Sequence, residues 1–499
     1  MTKAMKSGAR CQDAKVNDFF EKGLEENDEP DDPACSRSEC SHRGAALVYR
    51  ECSDKEARVL RRMLIVGPPV RKLCIWEMSL RAFRIAFGRL EGCSSLEELR
   101  VLMIVCEEEE EFSVNLSGVF GRLRSLQLHS LNIGTAFAKG IANYLPENTT
   151  LREFTLGFSG DDEVPAALIE ALIEALMVNN TLKRFTLAEA LVSSESGIAF
   201  AKMLAVNSTL ELVDLTDECS LEAESVSALL EEDRYEQVFK RLRIVWTEQL
   251  LPLLTRLIRK KACWPELSVR LSASVDRDVL REFFDAMATD TRIRALHFDP
   301  IDETFDDLAD GIASVAKRTT TLKEIDNHTP VKPGNEQQLV KVLDALKENR
   351  SVTSFVMSAD SVTPEIATSL SELLAVNGTL NVISVCRYFE ITDDILATLL
   401  RGMRKNYTVI HLNVGRVPDY DSKAVLEMEQ LVERNGRLHE KAAEFVNAGG
   451  DRESDAEGAD ALQKVRTSAP LVGEVQRLSG KTSDAATELI RAALARLCV

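Results

Sequence analysis

The stretch Asn377-Gly-Thr-Leu-Asn-Val-Ile-Ser-Val385 states a pattern, N-x-T-L-x-x-h-x-h with h apolar, that recurs along the chain. It returns at Asn148 to Leu156, Asn180 to Leu187, Asn207 to Leu215, Asn349 to Met357 and Asn406 to Val414. Self-similarity at a fixed period constrains architecture more tightly than composition does. With the first apolar residue as anchor, the clear anchors are Leu151, Leu182, Leu210, Leu322, Val352, Leu380 and Val409. The gap from Leu210 to Leu322 is four steps long, and it holds three weaker units anchored at Phe239, Trp264 and Ile293. Leu123, Leu96 and Val70 continue the series backwards, giving thirteen anchors about 28 residues apart.

The x-x-h-x-h core alternates, as a short strand with one buried face does. Between strands lie runs with apolar residues at three- and four-residue spacing, such as Val164 to Val178, Asn335 to Lys347 and Thr392 to Arg404, which read as helices. An Asn three residues before the anchor suits the left-handed turn that ends a helix. One unit cannot bury its own apolar face. Stacked units can, with a parallel sheet inside and helices outside.

From Val70 to Leu438 the chain resembles the leucine-rich repeats of the ribonuclease-inhibitor type, which also occur in NOD-like receptors and Ran GTPase-activating proteins. The resemblance implies an α/β horseshoe solenoid with a parallel inner sheet, outer helices and helical caps at both ends. That family carries Asn or Cys eight residues after the anchor, whereas Ile104, Leu131, Ser159, Ala190, Glu218, Pro330, Asp360 and Tyr388 stand there in this chain. The buried amide ladder of the family is therefore expected to be largely missing.

The expected organisation has four parts. Residues 1–43 are expected to be a disordered acidic arm without a signal-peptide-like apolar segment. Residues 44–69 belong to a run of helical character, Ala45 to Phe87, that would cap the first repeat. Residues 70–438 are the repeats. Residues 439–499 form a helical C-terminal cap or tail, with Leu489, Ile490, Leu494 and Leu497 on one face of a helix from Ser483. A net charge of −19 argues against nucleic acid, whose phosphates would be repelled.

Several signals resemble chemistry without completing it. Gly480-Lys481-Thr482 lacks the phosphate-loop glycine, since Val475 occupies that place. Cys35 and Cys40 lack the further ligands of a zinc site. Glu107 to Glu111 reads as a solvated loop. Eight N-x-S/T triplets occur, but six share one phase of the repeat, so the consensus accounts for them without glycan. The eleven cysteines are scattered and odd in number, as in a reducing compartment. No catalytic triad elbow or zinc helix motif occurs. The expectation is a cytoplasmic protein without catalytic, cofactor or metal residues.

The expected function is a non-catalytic scaffold that binds a protein on its concave face, without nucleic acid, membrane or small-molecule substrate. Positions two, four and six after each anchor point away from the helices. Thirteen strands ~4.8 Å apart would make an inner arc of roughly 60 Å, broad enough for a standard interface. The candidate contact residues are Lys72, Trp76, Arg100, His129, Glu153, Arg184, Asp214, Arg241, Arg243, Arg270, His297, Asp299, Glu324, Asp326, His328, His411 and Asn413. His297 and His328 fall in adjacent units near Asp299 and Asp326, and are read as solvated or partner-contacting. The alternatives are a small-GTPase regulator resembling the Ran activators, or an immune sensor or adaptor related to NOD-like receptors without their nucleotide-binding domain.

Overall fold

Strand, return, parallel strand is the unit of this molecule. The computed structural model describes residues 45–66, 70–88, 95–105, 121–130, 140, 142–158, 164–215, 218–219, 221–272, 275–299, 306–331, 334–386, 391–415 and 422–497. The acidic arm expected over 1–43, Cys35, Cys40 and the run Glu107 to Glu111 lie outside these residues. The chain divides into two units, 1–189 and 190–499.

In the first unit six strands lie side by side in chain order, every pair parallel: β1 (Ala45–Cys52), β2 (Val70–Ser79), β3 (Glu98–Val105), β4 (Ser125–Ser130), β5 (Glu153–Gly157) and β6 (Arg184–Ala188). The predicted alternation sets their register. Leu73, Leu99, Leu126, Phe154 and Phe185 are cross-strand partners in one buried row. Ile75, Val101, Leu128, Leu156 and Leu187 form a second. Each such side chain contributes about 1.5–3 kcal/mol by leaving water, and a one-residue slip of any strand would expose its share.

The start of the chain differs from the expectation. Residues 45–69 are not wholly helical, because β1 precedes the helix Asp54–Val66. Two β-formers, Val48 and Tyr49, lie in this strand, and its backbone pairs with β2 from Ala45 to Cys52. Parallel pairing satisfies a row of its backbone amides and carbonyls.

The second unit opens with β7 (Leu191–Val192), β8 (Leu212–Asp214), β9 (Glu218–Cys219) and β10 (Leu242–Arg243). β7 pairs with β9, and β10 pairs with β8. Then β11 (Val245–Thr247), β12 (Glu266–Arg270), β13 (Ala295–Phe298), β14 (Glu324–Val331), β15 (Ser354–Ala359), β16 (Val382–Cys386) and β17 (His411–Asn413) form a seven-stranded parallel sheet in chain order. Helices separate these strands, among them Arg277–Thr289, Asp306–Arg318, Glu336–Glu348, Pro364–Val376 and Asp393–Met403. Thr363 and Thr392 cap two of them, their side chains accepting from the Ile366 and Ile395 amides. Phe284, on the first of these helices, lies 6.2 Å from Phe298 on β13, fixing the sheet face on which that helix packs.

The repeated Asn does not take the left-handed conformation. Asn179, Asn207, Asn349 and Asn377 all have extended backbone, with φ between −67° and −88°. Their work is done by the side chain. Asn377 Oδ1 accepts from the amides of Thr379 and Leu380, at 2.8 and 2.9 Å. Its Nδ2 donates to Leu346 O and Asn349 O of the unit before, at 2.8 and 3.2 Å. Asn406 repeats the arrangement toward Leu374 O and Asn377 O, Asn349 toward Ala316 O, and Asn179 toward Leu145 O and Asn148 O. A buried amide ladder is therefore present, three residues before the anchor rather than eight after it. The six Asn of the shared N-x-S/T phase are at most 6% exposed. Between the repeated strands a left-handed helix end occurs at Lys261, with φ 57°, where the Ala262 amide donates to Leu257 O.

The expected boundary at Leu438 falls inside one helix, Lys423–Asn447. Three more helices follow, Ala456–Val465, Ala469–Ser479 and Ser483–Leu497, of which the second was not read from the sequence. Phe445, Leu462, Val465, Leu471, Val475 and Ile490 share their apolar core. These helices also hold the last repeats. Asn435 Nδ2 donates to Val409 O at 2.8 Å, Thr467 Oγ1 donates to Gly378 O at 2.5 Å, and Asn381 Nδ2 donates to Ser468 Oγ at 2.7 Å. His439 lies 2.6 Å from Ser468 Oγ, and burial pushes its imidazole below the ordinary histidine range. Among the described residues no helix is long and apolar enough to cross a membrane.

Candidate functional site

Alternation along a strand sends every second side chain to the sheet face away from the buried rows. In the second unit this outward set is dense in charge from β8 to β14. Arg243 and Asp214 are register partners, 3.1 Å apart, and Arg243 also lies 3.4 Å from Glu266. Arg270 Nη2 is 2.9 Å from Asp299 Oδ2. His297 and Asp326 are register partners, with Nδ1 3.6 Å from Oδ2.

The sequence reading grouped His297 with Asp299, Asp326 and His328. The structure gives Asp299 to Arg270 and brings Glu324 in instead. Glu324 lies two residues before Asp326 on β14, on the same face, and its register partner Ala295 is small enough to leave room beside His297. One donor atom from each of His297, Glu324 and Asp326 lies within 4.8 Å of the other two. Partial burial pushes the Glu324 carboxyl above its ordinary range; the Asp326 and Glu266 charges add to the rise, while His297 and Arg243 oppose it. Asp326 is only 6% exposed. The His328 side chain lies outside the described residues.

The remaining candidates divide. Lys72 is ion-paired with Glu98 at 2.9 Å, and Glu153 and Arg184 are register partners, both exposed. Arg100 stands opposite Cys74, and the His129 ring fills the space a side chain at Gly157 would need. Trp76 is half-buried on β2. His411 is exposed on β17, and Asn413 Oδ1 accepts from the Gly415 amide at 3.3 Å. Arg241 does not belong to a contact surface. Its guanidinium donates to the carbonyls of Asn207, at 2.7 Å, of Leu210, at 3.0 Å, and of Leu204. That unit has Glu236 where others have the ladder Asn, so the long side chain of Arg241 reaches the carbonyls that a carboxamide would otherwise hold.

Taken together, parallel strands alternating with helices along a repeated unit make this a repeat-like α/β protein. No family model and no curated protein matches the sequence. Among solved structures the actin-binding site 2 of leiomodin-1 is similar at 15% identity and a TM-score of 0.18, over 44% of this chain and 90% of that one. A likeness that slight has no bearing on the site.

Proposed function

We propose that the chain is a leucine-rich-repeat protein of the ribonuclease-inhibitor type that acts, without catalysis, as a scaffold binding another protein on its outward sheet face. The observation that carries this reading is the outward face from β12 to β17, where two register rows, Glu266–Ala295–Glu324–Ser354–Val382–His411 and Ser268–His297–Asp326–Val356–Ser384–Asn413, set charged and polar side chains among a few apolar ones. Parallel strands fix these side chains at regular spacing, so a partner meets a pre-ordered surface and little ordering entropy is lost on binding. Many of its charges are already paired, as in Arg270–Asp299 and Arg243–Asp214. Such a face favours a polar partner of mixed charge over a strongly basic one. The buried cysteines Cys52, Cys219 and Cys263 are free thiols, which supports a reducing, cytoplasmic setting.

Affinity capture with three forms of the protein tests the face. Arg270→Glu with His411→Glu alters the sheet, and Arg281→Glu alters an exposed helix position. The sheet variant is expected to lose the proteins that the unaltered chain and the helix variant retain. Loss on the helix variant with retention on the sheet variant would place the interface elsewhere.

A further inference from the structure

We propose that His297, Glu324 and Asp326 bind one divalent transition-metal ion of the zinc class. Two observations carry this. The donor atoms converge within 4.8 Å from two adjacent strands, so the site is built on sheet backbone and not on a loop. The 3.6 Å between His297 Nδ1 and Asp326 Oδ2 is too long for a hydrogen bond. It suits two ligands of one tetrahedral ion, which stand about 3.4 Å apart when each bond is ~2.1 Å.

The donor set selects the ion. An imidazole nitrogen with two carboxylates disfavours magnesium and calcium, which take oxygen ligands throughout. Three protein ligands leave a fourth tetrahedral position open on the outward face, for water or for a donor atom from outside. All three ligands belong to this chain, so metal binding is separable from docking of a partner.

The test uses the full chain, stripped with a chelator under reducing conditions and titrated with Co²⁺. The expected result is one equivalent bound with visible d–d bands and without a thiolate charge-transfer band, which sets this site apart from the cysteines. Zn²⁺ should displace it. Asp326→Asn and His297→Ala should each weaken Co²⁺ binding by more than about tenfold, whereas His411→Ala, on the same face, should not. Unchanged melting of the near-isosteric Asp326→Asn variant shows that the fold is retained. Co²⁺ affinity that survives both substitutions, or a spectrum dominated by thiolate ligation, would overturn the proposal.

Discussion

From Asn349 to Asn406 one carboxamide does two jobs at every entry into a strand, whereas from Glu236 to Thr319 the jobs are split among different side chains. In the later stretch Asn Oδ1 closes the turn and Nδ2 ties it to the unit before. In the earlier one Asp290 and Thr319 close their turns by accepting from the amides two and three residues on. The tie is made elsewhere: by Thr321 Oγ1 to Asp290 O at 3.1 Å, and by Arg241 to three carbonyls. The two stretches fold alike because the backbone groups needing partners are the same, and any donor of suitable reach can serve them. Conserved geometry here does not need conserved sequence.

The strongest way to break the comparison is Asn377→Asp. The acceptor survives, but a carboxylate replaces the donor facing Leu346 O and Asn349 O. Buried acceptors turned against one another cost about 3 kcal/mol, and denaturant unfolding should read that loss; Asp290, at the matching place in its own unit, has the Arg292 guanidinium 3.9 Å from its Oδ2. A cost below about 1 kcal/mol would mean the carboxamide ties carry little.

Arg241→Ala should follow, at about 2 kcal/mol, by leaving three carbonyls to find other partners. Hydrogen exchange should quicken around 204–243 and stay unchanged near Asn377, since stacked repeats lose stability locally. Uniform loss of protection would show that the two stretches are one cooperative block. The same result warns against using Arg241→Glu to test binding, because the change would injure the fold.

The smallest effect sharpens the difference in how helices end. Lys261 alone among the described ladder-phase residues has a positive φ. Lys261→Gly removes the Cβ penalty of that conformation and should gain on the order of 0.5–1 kcal/mol in thermal unfolding. Asn377→Gly, at an extended position, should give no such gain.

These comparisons also say what the sequence made legible. Anchors and helices such as Glu336–Glu348 could be read because burial imposes a period. The ladder, expected to be largely missing, escapes the sequence because an Asn before a strand fits two physical accounts, a left-handed turn or an extended turn closed by its side chain, and only dihedral angles separate them. Arg241 was assigned to the open face by its spacing; nothing in a repeat pattern reveals that a side chain folds back onto carbonyls. β1 was missed because it lies before the first recognisable anchor. For the metal triad the register was available, since His297 and Asp326 both stand four residues after their anchors. What could not be seen was that Arg270 takes Asp299 while Ala295 leaves room for Glu324.

The turn at Asn377-Gly378 has a consequence for how the protein ages. Asn followed by Gly is the dipeptide most open to deamidation, because the small residue lets its amide nitrogen attack the side-chain carbonyl carbon. In the folded chain that carboxamide is 3% exposed, held at both ends, and Gly378 O is pinned by Thr467 from the C-terminal helices. The attack therefore needs a chain that has opened. A molecule that lingers unfolded is converted there to Asp or isoaspartate, which cannot bridge to the preceding unit, so time spent unfolded is written into the chain as damage that obstructs refolding.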